Sequence, residues 1–307
     1  LAKVGSKIMV GTENEFKIGK SVIRGVESNG MLCSEEELNL SEVSEGIIEL
    51  DNDCKVGDQF SNYLSDENIE IEIAITPNRG DCAGVYGIAR DLSASGFGVL
   101  KEKKIKPIKN KFQSSIKVFN KLKDQGCPQF LLREIKNVKN TQSPDFMKKR
   151  FKGSGLKVIS SLVDVTNYLT RDFCRPLHVF DSDKIEGNIE IRYSKKGEQF
   201  QGLDDVNYIL DEKMIVICDE NKIISLAGVM GGKNSSCDND TKNILIESAY
   251  FSPNKIAYAG RKLNIISDAR YRFERGIDTN SAFDGIELAT GMIIKNCGGE
   301  VGSIVSD

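Results

Sequence analysis

Apolar runs in this chain are short, and turn residues cut almost every one of them. Segments 7–10, 20–23 and 46–50 read as brief strands with Gly-containing turns between them, a pattern suited to a small β-barrel. The stretch to residue 64 is too short for a complete one. Residues 69–76 place Ile69, Ile71, Ile73 and Ile75 in alternation with Glu70, Glu72 and Ala74, the period-two mark of a strand with one buried face. Pro77-Asn78-Arg79-Gly80 breaks it. Asp81 is placed to cap a helix carrying Val85, Ile88, Ala89 and Leu92 on one side and ending at Gly96. Farther on, Ser143-Pro144-Asp145 reads as a cap, a first-turn proline and a dipole-favoured acid, opening a helix that ends by Gly153 or Gly155. Segments 214–218 and 223–227 flank Asn221-Lys222 as a hairpin, and 243–247 forms another strand. Ser252-Pro253 starts a helix to about Leu263, and Asn280 starts one that stops at Gly298-Gly299. This order of elements predicts an α+β fold rather than a doubly wound parallel sheet.

With 39% hydrophobic and 28% charged residues among 307, the chain can bury a core, and no apolar run approaches the roughly 20 residues needed to cross a bilayer. The start at Leu1, with neither an initiator Met nor a signal-peptide pattern, suggests a piece of a longer protein. No two of the eight cysteines form a CxxC, which excludes a zinc ribbon, argues against a disulfide framework and suits a reducing, cytosolic compartment. A single histidine excludes any mechanism or metal site that needs two. Charge is unevenly spread. Residues 1–75 carry 6 Lys/Arg against 16 Asp/Glu, whereas residues 101–157 carry 17 against 4. Such a split suggests separate modules, and the basic stretch is either a contact for an acidic polymer or a lysine-rich solvated linker over 101–123.

Four clusters could carry chemistry. Residues 163–168 hold four hydrogen-bonding side chains within five positions, and Arg175-Pro176-Leu177-His178 holds the only histidine. Ala227-Gly228-Val229-Met230-Gly231-Gly232 is a glycine-rich stop to a strand, and residues 267–276 are dense in Arg and acids. On residue chemistry alone each has a structural alternative: a satisfied histidine, turn glycines, a surface ion-pair network. Lys233-Asn234 fails the Lys-Ser/Thr requirement of a phosphate loop, and no GxSxG elbow is present.

Taken with Ile73-Ala74-Ile75-Thr76-Pro77-Asn78-Arg79-Gly80-Asp81-Cys82 and Ile246-Glu247-Ser248-Ala249, these clusters resemble the β subunit of bacterial phenylalanyl-tRNA synthetase. The resemblance implies an internal fragment in three parts. Residues 1–64 would be part of a tRNA-binding OB-like domain, residues 65–106 the second half of a small split domain, and residues 107–307 a mixed α+β editing domain. It implies hydrolysis of tyrosine misattached to the phenylalanine tRNA, with catalytic positions at His178 and Ser267. The editing pocket would be formed by Lys157, Gly231, Glu247 and Ala269. Lys157 stands where the family often has Arg, Ser267 where it often has Thr, and Arg175 and Arg270 replace residues often uncharged in relatives. The implied partners are the phenylalanine tRNA and an α subunit, in a cytoplasmic tetramer of two α and two β chains. No metal or cofactor is implied for this fragment, since ATP and Mg²⁺ serve aminoacylation by the complete enzyme. The competing expectation is a non-catalytic module for tRNA binding and subunit assembly.

Overall fold

A computed structural model describes residues 1–40, 46–50, 52, 54–63 and 71–307. The chain divides into two units, Leu1–Glu67 and Asn68–Asp307. The boundary expected between 64 and 65 falls outside the described residues.

The first unit is built from very short strands: β1 (Ala2–Lys3), β2 (Lys7–Ile8), β3 (Phe16–Lys17), β4 (Ser21–Ile23), β5 (Val26–Ser28) and β6 (Gly30–Met31). They pair two by two, β1 with β6, β2 with β3 and β4 with β5. Among the described residues this gives three separate ladders and no closed barrel. Segment 46–50, expected as a strand, is irregular. Its small core is Ile8, Ile18 and Cys33.

In the second unit, the described part of the expected strand 69–76 corrects that expectation. Residues 71–76 are irregular, with Ile71 71% and Ile73 50% exposed, while 69 and 70 lie outside the described residues. Alternation needs a neighbouring strand to become a ladder, and none of the described strands pairs with this segment. Helix α1 (Val85–Ala94) follows, capped by Gly84 rather than Asp81. The Asp81 carboxylate instead accepts from Arg79 and Arg90, whose guanidinium groups hold it well below the usual carboxylate range.

The remaining elements are β7 (Val118–Asn120), β8 (Gln129–Lys136), α2 (Asp145–Gly153), α3 (Ser161–Phe173), β9 (His178–Asp181), β10 (Ile189–Tyr193), β11 (Gln199–Gln201), β12 (Asn207–Ile209), β13 (Ile215–Cys218), β14 (Ile223–Leu226), β15 (Met230–Gly231), β16 (Ile244–Tyr250), α4 (Pro253–Lys262), α5 (Asp268–Phe273), α6 (Ser281–Cys297) and β17 (Glu300–Ser306). The fold is a mixture of helices and several sheets. A four-stranded antiparallel sheet runs β17-β8-β16-β9, and a five-stranded sheet runs β15-β14-β13-β10-β7 with only the β7–β10 pair parallel. Successive residues of a strand point to opposite faces, so the four-stranded sheet feeds two cores. Leu131, Ile135, Val179, Ile244 and Ile246 pack with α2, α3 and α6. Phe130, Leu132, Phe180, Leu245 and Ala249 pack against the five-stranded sheet.

Two local expectations are corrected by long-range partners. Ser143 does not cap α2, because its hydroxyl donates to the buried Asp164 carboxylate at 2.5 Å. The 163–168 cluster is mostly interior α3, with Asp164 also accepting from the Ile159 amide. The lysine-rich segment is no free linker in its second half. Lys111 donates its amide to Val301, Ser303 donates its amide to Phe112, and Ile108 both donates to Glu287 and accepts from Arg133.

Candidate functional site

His178 and Glu247 are 69 positions apart in sequence and directly opposite each other in the β9–β16 ladder. Parity puts Glu247 on the same face of β16 as Leu245 and Ala249, and His178 on the same face as Phe180, so both turn toward the core between the sheets. The imidazole packs edge-on against Phe180, with ring centroids 4.5 Å apart and planes at 72°.

The glycine-rich stop supplies the other wall. Gly228 adopts φ +66° in the turn after β14, and Gly231 lies in β15 paired with Ser225. A Cβ at Gly231 would fall inside van der Waals distance of the imidazole, 2.7 Å from Nε2. Only glycine allows the strand to come this close to the ring. Leu203, in the β11–β12 turn, donates its amide to the Gly231 carbonyl at 3.0 Å.

Ser267 is the N-cap of α5. Its hydroxyl accepts from the Arg270 amide at 3.1 Å and donates to the Val229 carbonyl at 2.7 Å. The side chain thus ties the start of α5 to the turn that leads into Gly231. Ala269, in the first turn of α5, is half-buried against the inter-sheet core, as is Met230. Lys157 is placed apart from these five. It is exposed in the loop between α2 and α3, helices that pack on the opposite face of the sheet from Glu247. Among the described residues no hydrogen bond, ion pair or ring contact joins it to the others.

The electrostatics of the pair are set by burial. Glu247 is 6% exposed, and among the described residues nothing hydrogen-bonds its carboxyl. Burial pushes it up to about 8, with nearby Arg175 pulling the other way. His178 Nε2 is buried with no hydrogen-bond partner, and burial pushes the imidazole down to about 4. At neutral pH the site therefore holds an uncharged imidazole and a largely protonated carboxyl. Both can accept a hydrogen bond, the imidazole at Nε2 if its proton sits on Nδ1.

Two neighbours lie outside the residues that the resemblance assigns to the site. Cys127 is fully buried and its thiol is pushed up, first by burial and then by the adjacent Glu247. Arg175 is 1% exposed and has no carboxylate within salt-bridge distance among the described residues. Its sequence signals are its position beside the histidine motif and its charge where relatives often have an uncharged residue. Among the described residues no group of three or more His, Cys, Asp or Glu side chains is placed to hold a metal ion, and no helix is long and apolar enough to cross a membrane.

Residues 126–298 match the model of the B3/4 domain family. The phenylalanine–tRNA ligase β subunit of Rhodopseudomonas palustris is 48% identical over 292 residues, covering 95% of this chain and 36% of the relative. That of Cereibacter sphaeroides is 48% identical over 308 residues, covering 100% and 38%. This chain thus spans a little over a third of the length of these relatives. A solved N-terminal fragment of the phenylalanyl-tRNA synthetase β-subunit from Pyrococcus horikoshii aligns with 76% of this chain and 65% of its own, at TM-score 0.42 and 16% identity, too loose a likeness to bear on the site. With more than half of its residues inside the family model, the chain belongs to the B3/4 domain family, and its full length is similar to one part of the phenylalanine–tRNA ligase β subunit.

Proposed function

We propose that this chain is the editing part of a phenylalanine–tRNA ligase β subunit, which holds the phenylalanine tRNA and hydrolyses tyrosine misattached to it. The observation that carries the reading is the cross-strand pair itself: His178, whose buried Nε2 has no hydrogen-bond partner, directly opposite Glu247, a 6% exposed carboxyl that among the described residues accepts no hydrogen bond. Buried polar groups are nearly always partnered, and unfilled ones side by side call for a ligand. In this reading Glu247 accepts from the phenolic hydroxyl, which distinguishes tyrosine from phenylalanine. A hydrophobic pocket alone separates such isosteres by only about 100-fold.

Uncharged His178 orients the water through Nε2 and takes its proton as the water oxygen attacks the ester carbonyl carbon. The protonated imidazole then returns the proton to the ribose oxygen as its C–O bond breaks, releasing tyrosine and a tRNA hydroxyl. Ser267 acts by fixing the Val229–Gly231 wall, since its proton is already given to a carbonyl. Ala269 leaves room for the ring, and Lys157 is kept only as an outlying contact for the tRNA. No nucleophile–base pair is present among these residues, which favours direct attack by water over a covalent intermediate.

The remainder of the reading follows the family. Residues 1–64 are taken as part of an OB-like tRNA-binding domain, 65–106 as half of a split domain and 107–307 as the editing domain. The α subunit, the tetramer, ATP and Mg²⁺ belong to the complete cytoplasmic enzyme, and no hydrolytic step is routed through a metal.

The test is deacylation. This chain should release tyrosine from tyrosyl-tRNA well above the buffer rate, and His178→Ala should abolish the excess while preserving the circular dichroism spectrum. A native chain that leaves the ester at the buffer rate would instead support the competing module for tRNA binding and assembly.

A further inference from the structure

Arg175 is the bulkiest fully buried side chain of the described residues. It leaves the chain just after Cys174, the left-handed C-cap of α3 at φ +53°, and passes between α6 and the end of β16. Gly285 makes room for it, since a Cβ there would stand 2.7 Å from Arg175 Cγ. The guanidinium donates through Nη2 to the Ala249 carbonyl, and through Nη1 to the Asp278 carbonyl at 3.4 Å and the Ser281 hydroxyl at 3.3 Å. Its Nε has no partner. Every acceptor is neutral.

A buried cation without a counter-ion is costly. So is a buried carboxyl without a partner, and Glu247 is two residues before Ala249 on the same strand face. Each group favours the ionised form of the other, yet among the described residues they do not form a salt bridge. The carbonyls of Ala249 and Asp278 and the Ser281 hydroxyl hold the guanidinium back. A direct bidentate pair would occupy the carboxylate oxygens that a substrate hydroxyl needs.

We propose that Arg175 is a positioning residue for specificity: held off by its three neutral acceptors, it supplies the counter-charge that keeps a fraction of Glu247 ionised at neutral pH, the fraction that binds a phenol most strongly, while leaving the carboxylate oxygens open to it. The proposal rests on the reading of Glu247 as the acceptor for tyrosine. The other titratable groups facing Glu247 are the Cys127 thiol and the His178 ring, both uncharged at neutral pH, and Asp278 and Cys174 lie beside Arg175. Arg175 is thus the charge that acts on the carboxyl.

The experiment follows the Glu247 carboxyl directly, by ¹³C NMR of this chain labelled at the glutamate side-chain carboxyl, alongside tyrosyl- and phenylalanyl-tRNA deacylation. The native midpoint should lie near 8. Arg175→Met should raise it by about one unit or more, and Arg175→Lys should return most of the shift. Each unit lowers the ionised fraction at pH 7 about tenfold, so the tyrosyl-to-phenylalanyl rate ratio should fall by about the same factor. An unmoved midpoint in Arg175→Met overturns the proposal. A shifted midpoint in a chain that releases no tyrosine leaves Arg175's hold on Glu247 standing and removes the editing reading alone. If Arg175→Met does not fold, the double variant with Glu247→Gln decides. Recovered folding shows that the two charges depend on each other, whereas a double variant as defective as the single reduces Arg175 to a structural tie and overturns the proposal.

Discussion

Glu247 and His178 give the stability of this chain a particular dependence on pH. In the unfolded chain the imidazole titrates near 6.5 and the carboxyl near 4.5, whereas in the folded chain burial moves them to about 4 and about 8. Between about 4 and 6.5 the unfolded state binds the extra histidine proton, so stability rises with pH. Between about 4.5 and 8 the folded state keeps the carboxyl proton that the unfolded state has lost, so stability falls with pH. The two trends oppose each other up to about 6.5, and from there to about 8 only the loss remains. Glu247→Gln removes the titrating group. Urea unfolding at pH 6.5 and pH 8 should show the native chain less stable at the higher pH, and the variant with that difference largely gone. Equal differences in both would place the carboxyl's titration outside this range.

At the scale of elements, the joint between α5 and the β14–β15 turn is a single hydroxyl. Ser267→Ala removes the helix cap and the donor to Val229, and should lower the unfolding free energy by about 1–2 kcal/mol in urea titrations. Ser267→Thr should hold both bonds and stay close to native. Much of this layer could be read from sequence. The β13–β14 hairpin, α4 and α6 stand where turn residues, Pro253 and the terminal glycines put them. The readings that failed share a cause. Local spacing suits Asp81 and Ser143 to capping, but Arg79 and Arg90 claim the first and Asp164, 21 residues on, claims the second. Isoleucine alternation over 69–76 predicts a strand, and alternation alone cannot supply the neighbour that the described part, 71–76, lacks. The site divides the same way. Family motifs mark His178, Gly231 and Glu247, whereas the part played by Arg175 depends on carbonyls 74 and 103 positions away.

For the whole molecule, the uneven charge has a counterpart in the second unit. Lys101, Lys104, Lys106 and Lys109 are exposed on a segment whose later part is hydrogen-bonded against α6 and β17. A docked segment presents its charges in a fixed array, which suits contact with RNA phosphates better than a free tether does. If these four lysines each neutralise a phosphate, replacing all four by Ser should reduce the slope of log affinity for tRNA against log salt by about three. Filter binding from low to moderate salt measures it, and an unchanged slope would assign the lysines to solvation.

If Glu247 is the acceptor for tyrosine, the four-stranded sheet ties that selection to the register of one strand. Because β16 sends Ile244 and Ile246 to the helices and Leu245 and Glu247 to the opposite core, inserting or deleting one residue within it would exchange the two sets beyond the change. The carboxyl would then leave His178 for the helix-side layer, where Arg133 is already paired with Glu287, and an isoleucine or serine would face the imidazole. Drift in this strand is therefore confined to substitutions. On that reading, selectivity at Glu247 can change one side chain at a time, whereas length variants in the strand are lost as misfolded chains before any change in selectivity can matter.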